Sequence, residues 1–284
     1  MVIEGSTQLF GVIGNPISHT LSPIMHNAAL KTLNINAVYI PCHVSDEYIS
    51  IVANAIRALH FRGVNVTIPF KQAISPYLDR IEGDAVYTRS VNTIFEKDGL
   101  LYGTSTDGIG FIRSLREDGD FEPNNKKVIL VGAGGTAHAL AYRLVKSGVT
   151  SIDCYNRNMT NAETLKNELL KITGFTMEIS PLEQLATLDL GEFDLLVNTT
   201  SVGLSDDQSL IAKAQLHEGL FIYDVVYKKG GTRLIREAKE AGCRCLDGLS
   251  LLVYQGAASF YIWFNLEPPI TIMKNSLFDY FGRS

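Results

Sequence analysis

Val128-Ile129-Leu130-Val131-Gly132-Ala133-Gly134-Gly135-Thr136-Ala137 is the stretch on which the reading of the fold turns. Its four leading apolar residues read as a strand buried on both faces, the habit of parallel strands covered by helices. The strand runs into Gly-x-Gly-x-x-Ala and then into a helical pattern reaching Leu144. Gly132 permits the tight turn, Gly134 lets backbone approach a pyrophosphate, and Ala137 lets helix and strand pack closely. Ala133, Gly135 and Thr136 complete a turn whose unpaired N–H groups face the phosphates at the helix start. A lone glycine triplet would be a weak signal, but here the strand before and the helix after are both present.

The choice of dinucleotide is read at the end of the next strand, Ser151-Ile152-Asp153-Cys154-Tyr155. NAD sites place a carboxylate there for the ribose 2′-hydroxyl. This chain has Asn156 and Arg157 instead, and Asp153 lies too early in the strand. A guanidinium suits a 2′-phosphate through charge-assisted hydrogen bonds. The expectation is therefore NADP.

Outward from this turn, strand-like and helix-like runs alternate along most of the chain. Before it stand strands at 9–14, 38–41 and 63–67, with helices over 22–33 and 47–59; after it come strands at 193–197 and 220–224. This βαβ rhythm predicts mostly parallel sheet covered by helices. A polar break over Asp118–Lys127 precedes the glycine turn, and the stretch from about Ser250 to Ser284 reads as helical. The simplest architecture is α/β with two domains and a cleft between them.

The 284 residues, 46% hydrophobic and 19% charged, are enough for full cores and exclude a disordered chain. The net charge of -5 argues against non-specific nucleic-acid binding, which relies on basic side chains. No window offers the roughly 18 uninterrupted apolar residues of a membrane helix. The N-terminus, with Glu4, lacks the pattern of a signal peptide. Cys42, Cys154, Cys243 and Cys245 lack zinc spacing and read as reduced thiols of a cytoplasmic protein, with no metal expected.

Near the N-terminus, Gly14-Asn15-Pro16-Ile17-Ser18-His19-Thr20-Leu21-Ser22-Pro23 joins a strand end, a hydroxyl-rich turn and a helix start. Thr20 and Ser22 could receive a carboxylate at the positive end of the helix, or Ser22 could simply cap it. The residues alone leave both readings open.

Further segments change the balance. Asn65-Val66-Thr67-Ile68-Pro69-Phe70-Lys71, Ser90-Val91-Asn92-Thr93 and Gly103-Thr104-Ser105-Thr106-Asp107-Gly108-Ile109-Gly110 follow in that order before the glycine turn. Asn198-Thr199-Thr200-Ser201-Val202-Gly203, Tyr223-Asp224-Val225-Val226-Tyr227 and Asp247-Gly248-Leu249 through Gln255 follow after it. Together they resemble the shikimate/quinate dehydrogenase family over nearly the whole chain. The resemblance implies a substrate domain over 1–105, completed by helices at 249–284, and a Rossmann-type NADP domain over 106–248. It implies Lys71 and Asp107 as a catalytic pair, and Thr20 and Ser22 as the carboxylate-binding hydroxyls. Asn65, Thr67, Asn92, Asp107 and Gln255 match positions that bind ring hydroxyls, with Tyr227 nearby. Val225 and Gly248 match positions lining the nicotinamide, and Thr200 and Ser201 fall in the cofactor segment.

The implied reaction is the reversible, NADPH-dependent reduction of 3-dehydroshikimate to shikimate. A Lys beside a carboxylate suits it, supplying a movable proton and positive charge at the oxygen that gains electrons. Departures from the family pattern keep alternatives open. Thr20 stands where Ser is usual, and its methyl leans against quinate, which carries an extra hydroxyl at C1. Ser105 replaces Asn, Arg89-Ser90 replaces Gly-Ala, and Lys229 replaces Pro. Asn158 and Asn161 replace the Thr and Lys of the 2′-phosphate segment, which leaves NAD or dual use possible. The alternatives are a quinate/shikimate enzyme using NAD or both cofactors, and a non-catalytic NADP-binding sensor module. Monomer and homodimer are both compatible with the sequence.

Overall fold

Strands β1 (Gln8–Gly14), β2 (Ala37–His43), β3 (Phe61–Val66), β4 (Arg80–Ile81), β5 (Thr93–Lys97) and β6 (Leu100–Thr104) form one sheet, ordered β2-β1-β3-β5-β6-β4. Strands β7 (Lys127–Val131), β8 (Ser151–Asn156), β9 (Glu178–Pro181), β10 (Leu195–Asn198), β11 (Phe221–Asp224) and β12 (Cys245–Leu246) form a second, ordered β12-β11-β10-β7-β8-β9. The helices are α1 (Ser22–Thr32), α2 (Ile49–Ala58), α3 (Phe70–Ala73), α4 (Ala85–Thr88), α5 (Asp107–Glu117), α6 (Gly135–Lys146), α7 (Met159–Thr173), α8 (Arg233–Glu240), α9 (Gly248–Phe264) and α10 (Ile270–Phe281). The computed structural model describes residues 2–282; Met1 and the last two residues of the expected C-terminal helices, Arg283 and Ser284, lie outside the described residues.

The chain divides into two units, one running to Gly110 and resuming at Leu252, the other spanning Phe111–Leu251. The chain crosses from unit to unit inside α5 and again inside α9, a few residues from the boundaries expected at 105/106 and 248/249. The first turn of α5 stays with the first unit because side chains there hold Asp107. The first turn of α9 stays with the second, where the Ser250 hydroxyl donates to Asp118 Oδ2 at 2.6 Å.

The second sheet is all parallel and has the strand order of a dinucleotide-binding fold. Alternation along its strands divides two cores. Val128 and Leu130 of β7, Leu195 and Val197 of β10, and Phe221 and Tyr223 of β11 enter one cluster. Ile129, Val131, Leu196 and Ile222 enter the other. Both faces are covered, so these strands carry no polar face, and each fully buried Leu or Ile contributes about 1.5–3 kcal/mol.

The first sheet departs from the expected parallel arrangement: β3 pairs with β5, and β5 with β6, in antiparallel fashion. The β5–β6 hairpin closes on Asp98-Gly99, both with positive φ (53° and 77°), as a two-residue primed turn requires. The helix expected over 47–59 is α2, preceded by a short 3₁₀ turn at Asp46–Tyr48. The C-terminal stretch is broken at Glu267-Pro268-Pro269 into α9 and α10. Arg89, where the family pattern has Gly, adopts φ +50°, a left-handed conformation that glycine occupies without strain.

Candidate active site

Lys71 sits on α3, a single turn anchored by Phe70, which is buried in the first unit's core. Its carbonyl accepts from the Val91 N–H at 2.7 Å, tying it to the segment that carries Asn92. Asp107 is the first residue of α5, where the free N–H groups of a helix favour a negative charge. Lys71 Nζ donates to Asp107 Oδ2 at 2.5 Å, with 15% and 5% of the two side chains exposed. These residues are distant in sequence and adjacent in space.

The second carboxylate oxygen is held by Asn92, whose Nδ2 donates to Asp107 Oδ1 at 2.7 Å. Nδ2 also approaches Gln255 Oε1 at 3.2 Å and the Thr106 hydroxyl at 2.9 Å. Asn92 Oδ1 accepts from the Thr106 N–H at 2.8 Å and the Thr93 hydroxyl at 2.9 Å. Each polar atom of Asn92 is thus engaged, and the amide cannot flip without losing a pair. The arrangement points Asp107 Oδ2 at the ammonium.

Gln255 reaches this cluster from α9 because Gly110 lets α5 and α9 come close: a Cβ at 110 would lie 2.5 Å from the Gln255 nitrogen. One turn beyond Gln255, the buried Ser259 hydroxyl lies 2.7 Å from Thr93 Oγ1 and 3.3 Å from Thr106 Oγ1. Ser259 and Thr93 were missed in the sequence. Their signal was the helical spacing of Gln255 and Ser259 and the adjacency of Thr93 to Asn92.

Asn65 is engaged by the protein. Its Oδ1 accepts from the Tyr39 hydroxyl at 2.7 Å, and its Nδ2 donates to Asn92 O at 3.0 Å and Ser259 Oγ at 3.0 Å. Burial pushes the Tyr39 phenol well above its ordinary range, so it remains a neutral donor. Ser22 is not a helix cap: α1 is preceded by Leu21, with no side-chain capping bond. The Thr20 hydroxyl accepts from the Ser22 N–H at 3.3 Å, which orders the hydroxyl-rich turn. Thr67, half-buried, packs its methyl toward Gly14. Tyr227 belongs to the second unit, its half-buried ring beside Gly248.

In the second unit the glycine turn has the form its motif requires. Gly132 has φ +107°. Gly134 precedes α6 in extended conformation, and a Cβ there would meet nothing within 4 Å. Gly135, Thr136 and Ala137 open α6, where N–H groups have no partner in the helix, and Ala133 and Ala137 are buried. This open, donor-lined cradle fits a pyrophosphate. β8 ends at Asn156, whose Nδ2 donates to Asn158 O at 2.7 Å, and Arg157 beyond it is exposed. Asp153 lies within the strand opposite Glu178; burial and that neighbouring carboxylate hold its own carboxyl above the usual range. Thr200 and Ser201 follow β10, and Val225 follows β11 beside Gly248. A site with a cation and no acid at the end of β8 fits a 2′-phosphate.

Among the described residues no group of three or more His, Cys, Asp and Glu could hold a metal, and no helix is long and apolar enough to cross a membrane.

Comparison with known proteins agrees along the chain. Residues 12–94 match the shikimate dehydrogenase substrate binding domain, 117–224 the shikimate / quinate 5-dehydrogenase family, and 248–278 the shikimate 5′-dehydrogenase C-terminal domain. The NADP(+) shikimate dehydrogenase of Pyrococcus furiosus is 40% identical over 273 residues, 96% of each chain. A crystal structure of a shikimate dehydrogenase in complex with NADP+ superposes with a TM-score of 0.92 at 36% identity, covering 99% of this chain and 98% of that one. The enzyme from Listeria monocytogenes, in complex with shikimate and NAD, gives a TM-score of 0.89 at 36% identity, covering 97% and 98%.

Proposed function

The chain belongs to the shikimate dehydrogenase family, and on that premise we propose that it interconverts 3-dehydroshikimate and shikimate with NADP(H). The observation that carries this reading is the Lys71–Asp107 pair, joined at 2.5 Å and oriented from behind by Asn92. Bound at the glycine turn, the dinucleotide supplies the hydride for reduction and accepts it in oxidation.

The chain's own groups handle the proton. In reduction, Lys71 Nζ donates a hydrogen bond to the substrate carbonyl oxygen and then gives it a proton as hydride reaches the carbon. In oxidation Lys71 takes that proton back from the alcohol. An ammonium at this oxygen also stabilises the charge that develops there. Asp107 holds the ammonium in place, and Gln255 shares the cluster through Asn92. Thr20 and Ser22 receive the substrate carboxylate, with Thr67 at the ring and Tyr227 nearby. Asn65 contributes by ordering Asn92 and Ser259. The Thr20 methyl disfavours the extra C1 hydroxyl of quinate, by about 1–3 kcal/mol for a group of this size.

Gly132, Gly134, Gly135 and Thr136 hold the pyrophosphate, and Arg157, with Asn156, the 2′-phosphate. Thr200 and Ser201 would belong to the cofactor site, and Val225 and Gly248 would line the nicotinamide. The four free thiols fit a reducing, cytoplasmic setting. One observation favours a second reading, use of NAD as well. Asn158 caps α7 by accepting from the Thr160 and Asn161 N–H groups. The first turn of α7 is thus partly satisfied, which leaves fewer free donors beside Arg157 for a 2′-phosphate. Initial rates with shikimate and quinate, each paired with NADP and NAD, test the proposal. Fastest turnover is expected for shikimate with NADP, and activity with neither acid would overturn the reading.

A further inference from the structure

Asp224 ends β11 and is fully buried in the second unit, with no cation beside it among the described residues. Its partners are neutral donors from three directions. Asn198 Nδ2 donates to Oδ1 at 2.9 Å, the Val226 N–H donates to Oδ1 at 3.1 Å, and the Thr232 hydroxyl donates to Oδ2 at 2.6 Å. A carboxylate buried in this way is costly unless its oxygens are occupied, so its retention needs a reason.

The reason lies one residue further along the network. Asn198, held through its nitrogen, turns its oxygen to the following turn and accepts from Thr200 N at 3.0 Å and Thr200 Oγ1 at 2.7 Å. Thr199 is pinned from the other side, its N–H and hydroxyl both donating to Val131 O at 2.8 Å. It packs so closely on the glycine turn that a Cβ at Gly132 would lie 2.5 Å from Thr199 Oγ1. Asp224 also fixes the start of Val225–Tyr227, and the Val226 carbonyl accepts from the Gly248 N–H at 3.3 Å. The residues so ordered leave the C-terminal ends of β10 and β11. β10 adjoins β7 where the strand order reverses, the crevice in which open α/β sheets bind nucleotides.

We propose that Asp224 is a positioning residue for dinucleotide binding, acting through Asn198 to set the Thr199–Ser201 turn and directly to set the turn after β11. The inference rests on NADP(H) being the ligand of this unit. Asp224→Ala leaves the Asn198 nitrogen, the Val226 N–H and the Thr232 hydroxyl without an acceptor. Asp224→Asn keeps an oxygen for the first two and an amide that can donate to Thr232. Calorimetric titration of the whole protein with NADPH reads the outcome without turnover.

Asp224→Ala is expected to weaken NADPH binding about tenfold or more, the scale of a lost buried hydrogen bond. Asp224→Asn should recover most of that loss, and the shikimate KM at saturating NADP+ should barely move. Asn198→Ala should weaken binding comparably, and adding it to Asp224→Ala should cost little more, because both act on one turn. NADPH affinity within twofold of wild type in folded Asp224→Ala overturns the inference, as does a double variant that loses the product of the single effects. If Asp224→Ala does not fold, Asn198→Ala with unchanged affinity overturns it equally. Failure of the unaltered protein to bind NADPH would instead overturn the functional reading.

Discussion

Asp107 and Asp224 are buried aspartates of the two units, and their surroundings are opposite. Asp107 has an ammonium at one oxygen and an amide at the other, and its lysine partner retains some exposure. Asp224 has neutral donors alone and no exposure, and burial pushes its carboxyl up to about 6 against three hydrogen bonds that pull it down. The first arrangement suits a group proposed to move a proton. The second holds backbone turns. Carboxylate burial alone therefore does not identify chemistry; the kind of partner does.

The comparison breaks most visibly at the lysine. Lys71→Ala is expected to lower kcat about 10²–10⁴-fold, the contribution of a positioned acid–base group. NADPH affinity, assigned by the proposal to the other unit, should be unchanged by calorimetry. Near-normal turnover would remove the distinction between the two aspartates.

Acid should separate the units next. His26, buried and stacked on Tyr39 at 4.3 Å, is lowered by burial from 6.5 to about 3. Between those values the unfolded chain takes up a proton that the folded unit refuses. Stability present above pH 6.5 is therefore lost as pH falls, by up to about 5 kcal/mol. Asp224 has the opposite sign. From about 6 down to 3.8 the folded unit takes up the proton first, so acidification relieves it by up to about 3 kcal/mol. The single tryptophan, Trp263, lies in the first unit and reports its unfolding. Its fluorescence midpoint should fall below pH 6.5 in wild type and change less in His26→Phe. Equal acid sensitivity in both would refute the assignment to His26.

Smaller effects sharpen the picture. Asn92→Ala leaves Asp107 Oδ1 unpartnered and should cost about 1–3 kcal/mol, read as a fall in kcat larger than any rise in the NADP KM. Arg157→Ala should raise the NADP KM about tenfold, by loss of a charge-assisted hydrogen bond, while the NAD KM stays level. An unchanged NADP KM would move the 2′-phosphate to another group.

The second unit was the more legible. Its strands are apolar on both faces, its glycine turn is contiguous, and Asn156 and Arg157 follow directly, so local spacing carried the reading. The first unit was less so. β4, β5 and β6 were not anticipated, although Asp98-Gly99 between strand-like residues was a hairpin signal. Ser22 looked equally like a helix cap, and the structure removes that reading. Asn65, matched to the substrate ring, also bonds Tyr39, Asn92 and Ser259. No local pattern announces such a network, because its members come from β2, β3, α9 and the loop before β5.

What the sequence by itself determined is what depends on neighbours along the chain: the alternation of strands and helices, the glycine-rich turn between β7 and α6, and a basic residue where an acid would select NAD. The tertiary structure alone decided which amides face inward to serve the protein, that α5 and α9 cross closely at Gly110, and that Lys71 and Asp107 meet. The physical reason is range. Periodicity and turn chemistry act over a few residues, whereas a buried hydrogen bond between residues 65 and 259 exists only once folding has brought distant segments together.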